Sequence, residues 1–190
     1  MEVDAKESRS PKALRQSSLS ESLLADGKTI KIPLTRGKVA LVNVRDFSLI
    51  CGHLWSAWKD NFGHWYAITN VKLNGRWRFA AMHRMILRPP VDQEVDHVNG
   101  NGLDNRHCNL RLCNKAQQRR NARLQRNSTT GFKGVCYKKA NRNYTASIRI
   151  NGVSKHIGSF PIPEAAANAY DAAALKHFGE FARLNFPMPA

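Results

Sequence analysis

Acidic residues are scarce in this 190-residue chain: 14 aspartates and glutamates stand against 30 lysines and arginines, a formal charge of +16. Such an excess sets up a long-range positive field that favours polyanionic partners. No apolar run approaches the roughly 20 residues that a membrane span needs, which points to nucleic acid rather than a bilayer. The first residues, MEVDAKESRSPKALRQSS, lack the apolar stretch of an export signal, so a cytoplasmic location is expected. Cysteines are few and scattered: Cys51, Cys108, Cys113 and Cys136 form no Cys-x-x-Cys pair. That excludes a structural zinc site of the usual spacing. A disulfide framework does not suit a chain without an export signal, and all four are expected as free thiols. No internal repeat is visible.

Hydrophobic residues make up 42% of the chain, enough for packed cores. Residues 1–27 are polar and serine-rich and are expected to be disordered. From Thr29 the pattern changes. Ile30–Leu34 and Val39–Val44 look like short strands joined by a turn at Arg36-Gly37-Lys38. Trp65–Thr69 and Trp77–Ala81 are expected to pair across a turn at Asn74-Gly75, a pair suited to tight hairpins. Met82–Leu87 should form a short helix, stopped by Arg88-Pro89-Pro90. Residues 125–130 read as a linker. Three further strands are expected around Gly134–Tyr137, Tyr144–Ile150 and Ser154–Phe160, then a helix from Glu164 to Phe178 ending at Gly179.

The densest chemistry lies between Glu94 and Leu112. Asp96-His97, Asn99-Gly100-Asn101-Gly102, Asp104-Asn105 and Asn109 crowd together amides, carboxylates and imidazole that a core segment would not tolerate without dedicated partners. A histidine near neutral pKa can take a proton from water, and a divalent metal on oxygen ligands can stabilise a phosphodiester's leaving oxygen. Neighbouring strand residues point to opposite faces, so Asp96 and His97 could divide those tasks.

With His83-Arg84, Asp96-His97, the Asn99–Asn105 run and Asn109-Leu110-Arg111, residues 80–121 resemble the HNH endonucleases of phage and mobile-intron homing type. The resemblance implies a two-stranded hairpin followed by a helix with a metal held between them. It further implies His97 as general base, Asp96 as metal ligand and Asn109 as the amide that orients the histidine. The family's last ligand, an Asn or His 21 residues after the base, falls here on Gln118. Its amide oxygen sits one methylene further out, which bears on metal affinity. His83-Arg84 is read as support for the fold, and His107 as exposed.

From Arg106 to Arg126 the chain carries seven basic residues and no acid. If residues 115–126 are helical, Lys115, Arg119, Arg123 and Arg126 share one face that can track phosphates; Arg111 is a further candidate for DNA contact.

Residues 131–187 resemble the AP2 DNA-binding domain, through Gly131-Phe132-Lys133-Gly134-Val135, Tyr144–Ile148, Ile157–Phe160, Glu164-Ala165-Ala166, Ala169–Ala173 and Leu184–Pro187. The resemblance implies a three-stranded antiparallel sheet packed on one helix, its outer face entering the major groove. The matching positions are Lys133, Cys136, Lys138, Arg149, Ser154 and His156.

The expected class is thus α+β: a ββα-metal nuclease domain with an N-terminal β-rich extension (28–124), the linker, and an AP2 domain (131–187). The expected function is hydrolysis of duplex DNA with Mg²⁺, or Mn²⁺, by a monomeric homing or mobile-element nuclease, phage-encoded and acting in a bacterial host. The alternatives are a decayed, repressor-like DNA-binding protein and an RNA-binding protein.

Overall fold

The computed structural model describes residues 22–121, 124 and 128–186. Arg123, Arg126, Pro187 and residues 1–21 of the N-terminal segment lie outside them. The chain divides into two compact units, with the break between Leu112 and Cys113. Among the described residues no helix is long and apolar enough to cross a membrane, and all four cysteines are free.

The first unit opens with the hairpin β1 (Thr29–Pro33) and β2 (Val39–Asn43), followed by a helical turn α1 (Phe47–Ile50). Residues 24–29 brace its start: the Asp26 carboxylate accepts from the N–H groups of Lys28 and Thr29 and from the Thr29 hydroxyl. A three-stranded antiparallel sheet follows, ordered β3-β4-β5 (Ser56–Lys59, Trp65–Leu73, Arg76–Ala81). The turn between β4 and β5 has positive φ at Asn74 (48°) and Gly75 (77°), as a tight primed turn requires. β5 runs directly into α2 (Met82–Leu87), which ends on a left-handed Arg88 before the two prolines. β6 (Glu94–His97) and β7 (Leu110–Cys113) pair as a second small sheet.

The core gathers Ile30, Ile32, Ala40 and Val42 from the first hairpin, then Phe47, Ile50, Trp55, Ala67, Met82, Val95 and Leu110. Each large side chain so buried contributes about 1.5–3 kcal/mol. Trp55 satisfies its indole by donating to the Ile50 carbonyl at 2.9 Å.

The second unit begins with α3 (Lys115–Arg120), capped by Asn114 and Gln117 in a reciprocal box. The helix expected over 115–126 ends at Arg120, with Asn121 as its C-cap. β8 (Val135–Lys138), β9 (Asn143–Ile150) and β10 (Val153–Phe160) form an antiparallel sheet ordered β10-β9-β8 against the 16-residue α4 (Pro163–Phe178). Val135, Ala146, Ala166 and Ala167 pack with Phe132, Ile157 and Phe160. Ile148, Tyr170, Ala174 and Phe178 complete the layer. Gly134 has φ 76° and lies so close to Tyr170 that an added Cβ would stand 2.0 Å from its ring. Asn185 ties the chain end back: its N–H donates to Asp171, and its side chain bonds both backbone groups of Lys133.

Candidate active site

His97 ends β6 and is buried at 6% exposure. Its Nε2 lies 3.4 Å from Asn105 Oδ1. Its ring meets that of His83 edge-on at 5.0 Å and that of Tyr66 at 6.1 Å. Burial lowers the His97 pKa; the Asn105 bond and the charges of Asp96 and Asp104 offset this only in part. The imidazole is thereby favoured in its neutral form. His83 is held lower still, at about 3, by burial and then by the charges of His97 and Arg84. Its buried Nδ1 has no hydrogen-bond partner among the described residues.

Asp96, the preceding residue, meets different neighbours. Its Oδ2 accepts from Arg111 Nε at 3.0 Å and Nη2 at 2.7 Å, across the β6-β7 pair. Arg111, expected on DNA, is thus paired with the expected metal ligand.

The loop between β6 and β7 is fixed by its own polar groups. Asn109 Oδ1 accepts from the Asn99 N–H at 2.9 Å, and Asn109 Nδ2 donates to the Asp104 carbonyl at 2.8 Å. Asn109 therefore clamps the turn that follows the histidine. Asp104 is buried, which pushes its carboxyl up, but the bonds and charge of Arg106, with the Asn99 bond, outweigh this and hold it below the usual range. Arg106 grips it through Nε and Nη2, each at 2.7 Å. The loop also stitches onto β2: Leu41 N–H donates to Leu103 O and Asn105 N–H to Leu41 O. His107, expected to be exposed, is only partly so. Its N–H bonds Asn43 Oδ1 and its ring stands 3.0 Å from the buried Asp46.

In the second unit, Lys115, Gln118 and Arg119 are exposed on α3. Strand pairing sets Arg149 beside Ser154, with Ser147 beside His156 and Cys136 beside Thr145. Cys136, Lys138, Arg149, Ser154 and His156 are all exposed on the face away from α4. Lys133 is placed differently: its Nζ donates to the Arg120 carbonyl. Burial, with the Arg183 charge, pushes its ammonium down to about 8, against the opposing pull of Asp171. Asn105, Tyr66 and His83 are the side chains around His97 whose contacts the sequence did not reveal.

An uncharacterized HNH endonuclease of Acanthamoeba polyphaga mimivirus is 31% identical over 152 residues, spanning 79% of this chain and 76% of the viral protein. The chain belongs to the HNH endonuclease family. The HNH endonuclease model itself matches residues 88–120, which hold β6, the clamped loop, β7 and α3. An AP2-like ethylene-responsive transcription factor of Arabidopsis thaliana is 31% identical over 113 residues, 53% of this chain. The HNH chain spans only 36% of that plant protein's length. No solved structure matches significantly.

Proposed function

We propose that this chain is a metal-dependent DNA endonuclease in which His97 is the general base and the carboxyl-terminal sheet holds duplex DNA. The observation that carries the reading is His97 itself, a buried imidazole kept neutral and oriented through Nε2 by Asn105 within a family-matched segment. A neutral imidazole accepts a proton from water as the water oxygen attacks phosphorus. The P–O bond to the leaving oxygen then breaks, and that oxygen takes a proton from solvent.

Among the described residues no three His, Cys, Asp or Glu side chains gather as a metal cage. Mg²⁺ does not need one: it keeps several waters and takes one or two carboxylates plus substrate phosphate. The donor set therefore fits Mg²⁺ or Mn²⁺, with Asp96 as the protein's carboxylate, shared with Arg111. Gln118 is proposed as the second ligand from its spacing to His97 alone. When bound, such an ion neutralises phosphate charge and stabilises the leaving oxygen. Asn109 acts by clamping the Asn99–Asp104 turn that follows the base.

Strand, strand and helix follow one another at β6, β7 and α3 in the order of the ββα-metal fold, which we assign to this segment. We likewise assign the AP2 fold to residues 131–187, supported by three antiparallel strands on one helix and by the partial plant relative. Lys138 and Arg149 on its outer face would contact phosphate and base edges, and Lys115, Arg119 and Arg123 phosphate. A role in a mobile element follows from the resemblance to homing nucleases.

Nicking of supercoiled plasmid tests this, with Mg²⁺, with EDTA, and for His97→Ala. Cutting that needs the metal and vanishes in the variant is expected. Duplex binding without cutting by the wild type would instead establish a DNA-binding protein that has lost catalysis.

A further inference from the structure

We propose that the outer face of the β3-β4-β5 sheet is a docking surface for the DNA to be cut, with Trp77 and Phe79 as stacking platforms for its bases. This rests on the nuclease reading and names a contact that reading does not contain.

Strand alternation divides the sheet. Ala57, Ala67 and Thr69 turn inward and are buried. The other face is open and aromatic: Trp58 is 49% exposed, Trp77 69% and Phe79 79%. Register sets Trp58 beside Tyr66, Asn70 beside Phe79 and Lys72 beside Trp77, so all six side chains share that face. Neither Trp77 nor Phe79 belongs to the core. Large rings held in water without a packing role mark an interaction site.

Two observations choose the occupant. The first is position: the Tyr66 ring lies 6.0 Å from Trp58 and 6.1 Å from His97, and Asn70 and Lys72, opposite Phe79 and Trp77, stand on the same face of β4 as Tyr66. The second is charge. Between Asp60 and Asp92 the chain has five lysines and arginines and no acid; Lys72 is exposed on the aromatic face itself, while Arg76 and Arg78, exposed on the same hairpin, alternate to its other side. Such a surface repels a second copy of a +16 chain and attracts a polyanion. Residues two apart on a strand are about 7 Å apart, close to twice the ~3.4 Å spacing of successive nucleotides. Trp77 and Phe79 are therefore spaced to receive one base between them. Stacking of this kind tolerates any base sequence.

The test uses the full chain in EDTA, with a fluorescein-labelled 40-mer, single-stranded and as duplex, titrated at several salt concentrations. Trp77→Ala with Phe79→Ala should weaken binding by about tenfold or more per ring without changing the slope of log affinity against log salt. Lys72→Ala should reduce that slope by about 0.7–0.9. Trp77→Phe with Phe79→Tyr should keep near wild-type affinity. Melting curves verify that the variants fold. Unchanged affinity in the double alanine variant overturns the proposal. So does an affinity loss accompanied by a matching loss of salt slope, which would assign the effect to phosphate contact. A wild-type dimer that the double variant splits, with DNA affinity intact, gives the face to a second copy and also overturns it. If the wild type cuts no plasmid yet the ring variants lose binding, the nuclease reading fails and the docking face stands. Cutting by the wild type with normal binding and nicking by the ring variants is the reverse case.

Discussion

Replacing His83 by leucine should change how stability depends on pH. The fold holds this imidazole at about 3 against its ordinary 6.5, through burial first and then the charges of His97 and Arg84. Above pH 6.5 both folded and unfolded chains carry it neutral, and it contributes nothing to the pH dependence. Between 6.5 and 3 the unfolded chain binds a proton that the folded chain refuses, so stability falls as the pH falls. Each pH unit in that window costs about 1.4 kcal/mol. By pH 4.5 the wild type should have lost roughly 2–3 kcal/mol on this group alone. Leucine has no proton to bind and removes the unpartnered Nδ1, so His83→Leu should lie within about 1 kcal/mol of wild type at pH 7.5. It should then gain roughly 2–3 kcal/mol relative to wild type by pH 4.5. Urea titrations at pH 7.5, 6.0 and 4.5, followed by tryptophan fluorescence, measure the difference. His97 titrates in the same direction in both proteins and largely cancels. Parallel stability curves for the two chains would refute the reasoning.

Arg111→Met leaves the buried Asp96 without its guanidinium and should cost about 3 kcal/mol; adding Asp96→Asn should recover much of that, and a urea midpoint shifted by neither change contradicts the pairing. Asn105→Ala removes the amide oxygen at His97 Nε2 and should slow plasmid nicking by about 10²-fold at unchanged duplex affinity; equal losses in both would make Asn105 a binding residue. Gly134→Ala meets both a positive φ and the Tyr170 ring, so amide exchange across β8–β10 should report more than about 2 kcal/mol of destabilisation, and wild-type protection would contradict the close approach. Lys138→Ala and Arg149→Ala should each lower the salt slope of duplex binding by about 0.9; an unchanged slope for both removes that sheet from the interface.

Local rules made much of the fold legible. Asn74-Gly75 announced its hairpin because few residues accept positive φ in succession, and Arg88-Pro89-Pro90 marked the end of α2. Val135, Ile148, Ile157 and Phe160, from the three strands expected after the linker, pack in the clusters shared with α4. β3 escaped notice because Ser56–Lys59 is short and gains its identity from Thr35 and β4, far along the chain. The line-up of polar residues from Asp96 to Asn109 was visible, but not who meets whom. That Asn105 takes Nε2 of His97 depends on the path of the loop, and the Arg111–Asp96 pair depends on the join of β6 and β7. Lys133 reads as a surface cation, yet its ammonium is turned to the Arg120 carbonyl, a long-range choice that spacing cannot encode.

The stitching of the loop after His97 onto β2 limits how this HNH segment can be exchanged between chains. The family-matched segment starts at residue 88, yet the backbone groups of Leu103 and Asn105 pair with the Leu41 backbone and the His107 N–H donates to the Asn43 side chain. A graft of the matched segment alone would leave those partners behind, and a crossover anywhere between Asn43 and His97 would part the loop from its anchors. The portable piece runs from β1 through α3, and a chimaera cut closer to the motif should inherit the residues of the site without its shape.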